Sequence, residues 1–220
     1  MPLPTDQNIL QAGIDLPSPR LEGKVSLEET IVRRRSVRRY RREPLDLSQL
    51  SQILWSAQGI TAKGRLRAVP SAGATYPLEV FVVVGSQGVI VREPKQSPAE
   101  LQAGVYRYQV DSHSLNLHKA AELRHDLARA TLGQEFIIDA PVDIVLCALY
   151  HRTSGRYGKR AERYVHMEVG HAGQSIHLQA IALGLATVEV GAFHDEEVRE
   201  VLGLEEQIKP LYIMPVGRPL

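Results

Sequence analysis

A chain of 220 residues, 44% of them hydrophobic and 23% charged, can bury one sizeable core, so neither disorder nor a fibrous architecture fits. The 26 Lys plus Arg against 25 Asp plus Glu leave a net charge near zero, which argues against bulk nucleic acid or an anionic membrane as partner. A lone cysteine, Cys147, excludes an intramolecular disulfide and fits a reducing cytoplasm. No apolar run has the length of a signal peptide or a membrane span.

Residues 1–24, rich in Pro and Gly, read as an irregular arm, and residues 25–220 as a single domain. Ser26 followed by Glu29 is a capping-box pattern that opens a short helix through Ile31 and Val32, which runs into Arg33, Arg34, Arg35 and Ser36. Asp46 caps a second helix with apolar positions Leu47, Leu50, Ile53, Leu54 and Ala57, stopped by Gly59. After a loop of small residues, 80–84 is a central strand; 105–110 and 115–117 form a hairpin with an exposed tip. Residues 120–130 read as a helix and 142–150 as a buried strand. Residues 160–185 carry apolar side chains on nearly every face, which predicts a long helix buried all round at a subunit interface. A strand over 187–190, a helix capped by Asp195 and a strand over 211–216 complete the chain. Hairpins mixed with helices give an α+β class, a mainly antiparallel sheet flanked by helices.

Three segments carry chemistry. Five guanidinium groups and the Ser36 hydroxyl fall within residues 33–40, and guanidinium forks suit phosphate oxygens; a solvated charged face is the competing reading. The run Pro70-Ser71-Ala72-Gly73-Ala74-Thr75-Tyr76-Pro77 allows a flat ligand to approach the backbone, or is an ordinary tight loop. Val190-Gly191-Ala192-Phe193 leaves backbone N–H groups free beside a strand. His166, His171 and His177 are spaced by five and six residues, unlike an i, i+4 ligand pair, so no metal is expected. Neither a P-loop nor a Rossmann glycine motif is present, so a nicotinamide donor, NAD(P)H, would bind only transiently.

Together with the ending Pro215-Val216-Gly217-Arg218-Pro219, these segments resemble the nitroreductase superfamily from about Ser26 to Pro219. The phrases SAGATYPLEVFVV, GVYRYQVDSHSLNL, EVGHAGQSIHLQAIALGLA and VGAFHDEEVREVLGL look most like its SagB-like branch of thiazole/oxazole-forming dehydrogenases. The resemblance implies FMN bound between the two subunits of a homodimer. It assigns Arg34, Arg35, Ser36 and Arg38 to the FMN phosphate, ribityl chain and pyrimidine edge, and Arg218 to a second phosphate contact. Ser71, Ala72 and Gly73 would line the flavin, and the backbone of Val190, Gly191 and Ala192 would lie beside flavin N5. On the long helix, His171 and Gln174 would face the flavin pocket or the dimer seam. Tyr76 and His194 are substrate-pocket candidates by motif position. The branch's Lys-Tyr pair corresponds here to Arg156 and Tyr157; arginine stays protonated, so Tyr157 is the better acid/base candidate and Arg156 an orienting group. Lys159 stands three positions on and is a substitute amine; a loop-closing hydrogen-bond pair is the competing reading for Arg156 and Tyr157.

The implied reaction is two-electron hydride transfer at flavin N5, as SagB-like dehydrogenation of a heterocyclic or peptide-like substrate or as NAD(P)H-dependent reduction of nitro compounds or quinones. A flavin-binding module without turnover and an anion- or nucleic-acid-binding module are the readings from other classes; near-zero charge disfavours the last.

Overall fold

A computed structural model of the protein describes residues 13–92 and 97–220. In chain order the elements are β1 (Ile14–Asp15), α1 (Leu27–Arg33), β2 (Leu45–Asp46), α2 (Leu47–Gln58), β3 (Ile60–Ala62), β4 (Leu66–Arg67), β5 (Leu78–Val84), β6 (Val89–Val91), β7 (Ala99–Glu100), β8 (Gly104–Gln109) and β9 (Ser114–Lys119). There follow α3 (Arg124–Ala130), α4 (Phe136–Asp139), β10 (Val142–Ala148), α5 (His151–Tyr157), α6 (Ala161–Ala182), β11 (Ala186–Thr187), α7 (Asp195–Leu202) and β12 (Lys209–Gly217).

Among the described residues the main sheet has seven strands in the order β1-β9-β8-β5-β10-β12-β11, every neighbouring pair antiparallel. Strands β5 and β10 run apolar without alternation because both faces of the sheet are covered. Val80, Val82, Val84, Ile144 and Leu146 pack with Leu50, Ile53, Leu54 of α2 and Val165, Val169, Ile176 of α6. Phe81, Val83, Val145 and Cys147 point the other way, onto Leu127, Ile137, Val198 and Leu202 of α3, α4 and α7. The class is therefore α+β, as the sequence indicates.

The first helix starts as expected: the Ser26 hydroxyl accepts Glu29 N at 3.2 Å. At Asp46 a capping box with Gln49 opens α2, and the Gly59 N–H closes it on Trp55 O. Four expectations need correction. Residues 1–12 of the arm lie outside the described residues, but Ile14 and Asp15 pair with Leu115 and Ser114 as an edge strand. The helix expected from 120 begins at Arg124, because the Glu122 carboxylate is spent on Ser86 N and Arg124 instead. In the single chain α6 leaves Arg163, His166, Met167, Gly170, His171 and Gln174 exposed along one face, the face that the expected subunit interface would cover. The 187–190 strand shrinks to Ala186–Thr187 with an isolated bridge from Val190 to Ile213. His194, not Asp195, is the N-cap of α7. At the hairpin tip Asp111 and Ser112 are exposed, while half-buried His113 turns inward to Tyr108 and Ser51.

Candidate functional site

Helix α1 ends because its C-cap, Arg34, leaves the helical region (φ −55, ψ 120). The chain then runs as a ribbon stitched to the C-terminal segment: Val37 N donates to Thr187 O at 3.0 Å, Arg41 N to Arg218 O at 2.9 Å, and Leu220 N to Arg39 O at 3.3 Å. Buried Tyr40 pins the ribbon, its hydroxyl within 2.5 Å of Val37 O and 3.2 Å of Pro215 O. With the backbone satisfied inward, Arg35, Ser36 and Arg38 are left exposed and Arg34 half-buried. Arg35 folds back on Val32 O and Arg34 O, Arg38 lies 6.0 Å from the Phe136 ring centroid, and Arg218 Nε sits 3.3 Å from Glu43 Oε2. Arg34, Arg35, Ser36, Arg38 and Arg218 thus share one strip of surface.

Beside it, Ser36 bridges Thr187, and the chain continues through Glu189 to Val190, which exchanges two backbone bonds with Ile213 at 2.8 and 3.0 Å. Glu189 Oε2 lies 2.8 Å from Nε2 of buried His177. Burial, the largest single influence, works to raise the Glu189 carboxyl, but the hydrogen bond and electrostatic attraction of His177, a backbone hydrogen bond and Arg34 together hold it below the usual carboxylate range. Gly191 and Ala192 are exposed; a Cβ on Gly191 would lie 3.4 Å from the Tyr212 ring. Exposed His194 is turned towards α3, its N–H on Ala130 O at 2.9 Å.

The second group is the loop before β5. Gly73 (φ 59), Ala74 (φ 52) and Tyr76 (φ 45) are left-handed, two of them at a steric cost on the order of 1 kcal/mol each. The strain is held by Ser71 Oγ, which accepts Tyr76 N at 2.9 Å, and by Thr75 Oγ1, 2.8 Å from Thr153 Oγ1. Two arginines one turn apart on α5 clamp the same loop: Arg152 Nη1 donates to Tyr76 O at 3.0 Å and Arg156 Nη1 to Gly73 O at 3.2 Å. Tyr157 leans over the loop so closely that a Cβ on Gly73 would stand 2.6 Å from its hydroxyl. Ser71, Ala72, Gly73, Tyr76, Arg156 and Tyr157 are thereby brought together.

Under that loop lies Glu168 of α6, 2% exposed, its Oε1 without a partner among the described residues. Burial pushes its carboxyl up to about 7, against the downward pull of the Ser71 hydroxyl, Arg67 and Gln58. Sequence reasoning does not single out Glu168 or the Glu189–His177 pair; a carboxylate inside an apolar helical or strand run is the signal that marks both.

The arginine ribbon and the 71–76 loop stand at opposite ends of the sheet, with Val190, paired to Ile213, part way between them. Leu78 pairs with Ala148 and Ala148 with Lys209 at the loop end, whereas Val84, Val142 and Val216 align at the ribbon end. A seven-residue strand separates them by roughly 20 Å. Tyr76 belongs to the 71–76 loop, whereas His194 follows the Val190–Ala192 segment. Between the groups runs the exposed face of α6, His171 and Gln174 included. Among the described residues no group of three or more His, Cys, Asp or Glu converges; His166 meets the Tyr150 hydroxyl at 2.7 Å. No described helix is long and apolar enough to cross a membrane.

Comparison with known proteins fits this geometry. The chain is 44% identical over 207 residues, 94% of its length and 98% of the relative's, to a protein of Methanocaldococcus jannaschii named as a nitroreductase. It is 26% identical over 212 residues to the trifolitoxin operon protein TfxC of Rhizobium leguminosarum bv. trifolii, covering 91% of this chain and 57% of that one. A crystal structure from Ralstonia eutropha, also named as a nitroreductase, superposes with a TM-score of 0.79 at 29% identity, over 94% of this chain and 90% of the other. The model of the nitroreductase family matches residues 31–218, and the chain belongs to that family.

Proposed function

We propose that the protein is an FMN-dependent oxidoreductase that works as a homodimer, with residues 25–220 forming one flavin-binding domain. The observation that carries this reading is the separation of the two groups across the exposed face of α6. Two copies related by a two-fold axis at α6 would set the Ser71–Gly73 loop of one beside the arginine ribbon of the other. Exposed Leu27, Ile31 and Val32 on α1 and Met167 on α6 supply the apolar surface such a seam needs.

The residues fit FMN. The cations of the ribbon, exposed Arg35 and Arg38 and half-buried Arg34 and Arg218, with Ser36, suit its phosphate and polar chain. The side-chain-free backbone at Gly73 and Gly191 suits a flat ring. When bound, FMN supplies hydride acceptance or donation at N5. The chain's part is to offer backbone donors from Gly191 and Ala192; the Val190 N–H, expected to join them, is spent on Ile213 O, so Val190 fixes the segment, backed by Glu189 and His177. Tyr157 holds or passes a proton beside Gly73. Arg156, committed to Gly73 O, keeps the loop in place and remains charged. His194 and Tyr76 would flank the substrate from different subunits. The buried thiol of Cys147, pushed well up by burial, suits a reducing cytoplasm.

Likeness to the SagB-like branch and to TfxC supports dehydrogenation of a heterocyclic or peptide-like substrate. The engaged guanidinium of Arg156, where that branch carries a lysine base, favours the second reading, NAD(P)H-dependent reduction of nitro compounds or quinones. The test is the visible spectrum of the purified protein, mass identification of the released cofactor, and anaerobic addition of NAD(P)H. Flavin bands that bleach select the reductase. Bands that do not bleach select a dehydrogenase if a candidate substrate bleaches them, and a flavin-binding module if none does. A colourless protein that takes up no FMN rejects the proposal.

A further inference from the structure

Thr75 and Tyr76 of the strained loop also wall a cavity of about 350 Å³ that opens between β4, β8 and α5. Its charges do not balance: Arg65, Arg67, Arg107 and Arg152 face Glu79 and Asp111, four cations against two anions. Both carboxylates are already used. Glu79, with its side chain 11% exposed, takes Arg152 Nη2 on Oε1 at 2.6 Å and Arg107 Nη2 on Oε2 at 2.9 Å. Asp111 pairs with Arg65. Arg67 has no carboxylate in salt-bridge contact among the described residues. Its Nη1 donates to Gln58 Oε1 at 2.7 Å and its guanidinium lies 4.2 Å from the Tyr76 ring centroid. Burial lowers its pKa and the charge of Arg152 pushes the same way, against the opposing pull of Tyr76 and the more distant Glu168 and Asp111. A half-buried guanidinium with no carboxylate in direct contact bears a desolvation cost that an incoming anion would relieve.

Position gives the cavity a use. Arg152, on its wall, and Arg156, over Gly73, are four residues apart on α5, about 6 Å along the helix. Both hold the same loop, at Tyr76 O and Gly73 O. An oxyanion seated among Arg67, Arg107 and Arg152 would therefore lie about one helical turn from Arg156 and Tyr157, the pair placed beside the reacting end of the flavin. We propose that this cavity is a second oxyanion site, separate from the arginine ribbon, which holds a carboxylate or phosphate group of the small molecule that reacts at the flavin. The reactant end of the claim rests on the flavin reading above; the anion site itself does not. The site makes the preferred reactant an organic acid or an organic phosphate, tethered by its anion and oxidised or reduced at its far end.

The experiment titrates inorganic phosphate and, separately, acetate into FMN-saturated protein at constant ionic strength, following the arginine Nε–H resonances by NMR. Saturation occupies the ribbon first, so the probes report on the cavity. A chain that takes up no flavin reveals that failure in its absorbance before any anion is added. Saturable shifts with one or both probes are expected, and the tighter probe tells phosphate from carboxylate recognition. Arg67→Gln should weaken binding about tenfold, and Glu79→Gln, which releases Arg107 and Arg152, should tighten it severalfold. Arg129→Gln, on the exposed face of α3, should change nothing. Opposite signs from two substitutions in one cavity cannot come from misfolding. Absence of saturable binding, or equal affinity in Arg67→Gln, Glu79→Gln and the parent, would overturn the proposal.

Discussion

Arg156 and Tyr157 are neighbours with different capacities. The guanidinium donates to Gly73 O and so orients the loop; the phenol beside it can lend or accept a proton. Tyr157→Phe should lower turnover about 100-fold while leaving flavin content unchanged, as read from absorbance and steady-state rates. An unaltered rate would make the hydroxyl structural. Glu168 makes a prediction about pH. Its folded pKa is raised from 4.5 to about 7, so the folded state binds its proton more tightly than the unfolded one does. The stability it contributes is fully present below about 4.5 and is lost as pH rises through 7. Glu168→Gln should therefore flatten the pH dependence of Tm between about 5 and 8, with its largest gain over the parent at the alkaline end. A constant difference across that range would show that Glu168 is not protonated in the fold.

Elements with a strong local signal are legible in the sequence. The 3.6-residue period of Leu47, Leu50, Ile53, Leu54 and Ala57 sets α2, and the β-branched run of 80–84 sets the centre of the sheet. Ser26 caps α1 where expected, and Ser26→Ala should cost about 1 kcal/mol, measurable by denaturant unfolding. Elements that depend on distant partners are not legible. The α5 sequence HRTSGRY has no apolar period and contains Gly155; buried Thr153 and the bonds of Arg152 and Arg156 to the 73–76 loop hold it. For the candidate site, the residue types are readable as an arginine run and two small-residue loops. Their division between two ends of the sheet is not, because it arises from the register of β5, β10 and β12. The exposed face of α6 is hidden for a related reason: the apolar character of the helix is spread round its circumference, and burial is decided by what one chain has to cover it.

At the scale of the whole molecule that face is the point of greatest leverage. A Cβ on Gly170 meets nothing within 4 Å in the single chain, so Gly170→Glu leaves the protomer intact and can even favour the helix. At a two-fold seam the same side chain would bring like charges together. The variant should run as a monomer by light scattering and lose its flavin in parallel, whereas a dimer with full flavin content would remove α6 from the interface. The two margins of the main sheet lead elsewhere. Both are closed, among the described residues, by strands of two residues, Ile14–Asp15 and Ala186–Thr187. Each rim strand covers only two residues of the longer strand beside it, so residues 116–119 of β9 keep no strand partner on that side among the described residues, an edge that could accept an extended chain. Crowding the protein therefore sets two routes against each other, helix against helix at α6 and strand against strand at β9, and only a two-fold helix seam closes on itself.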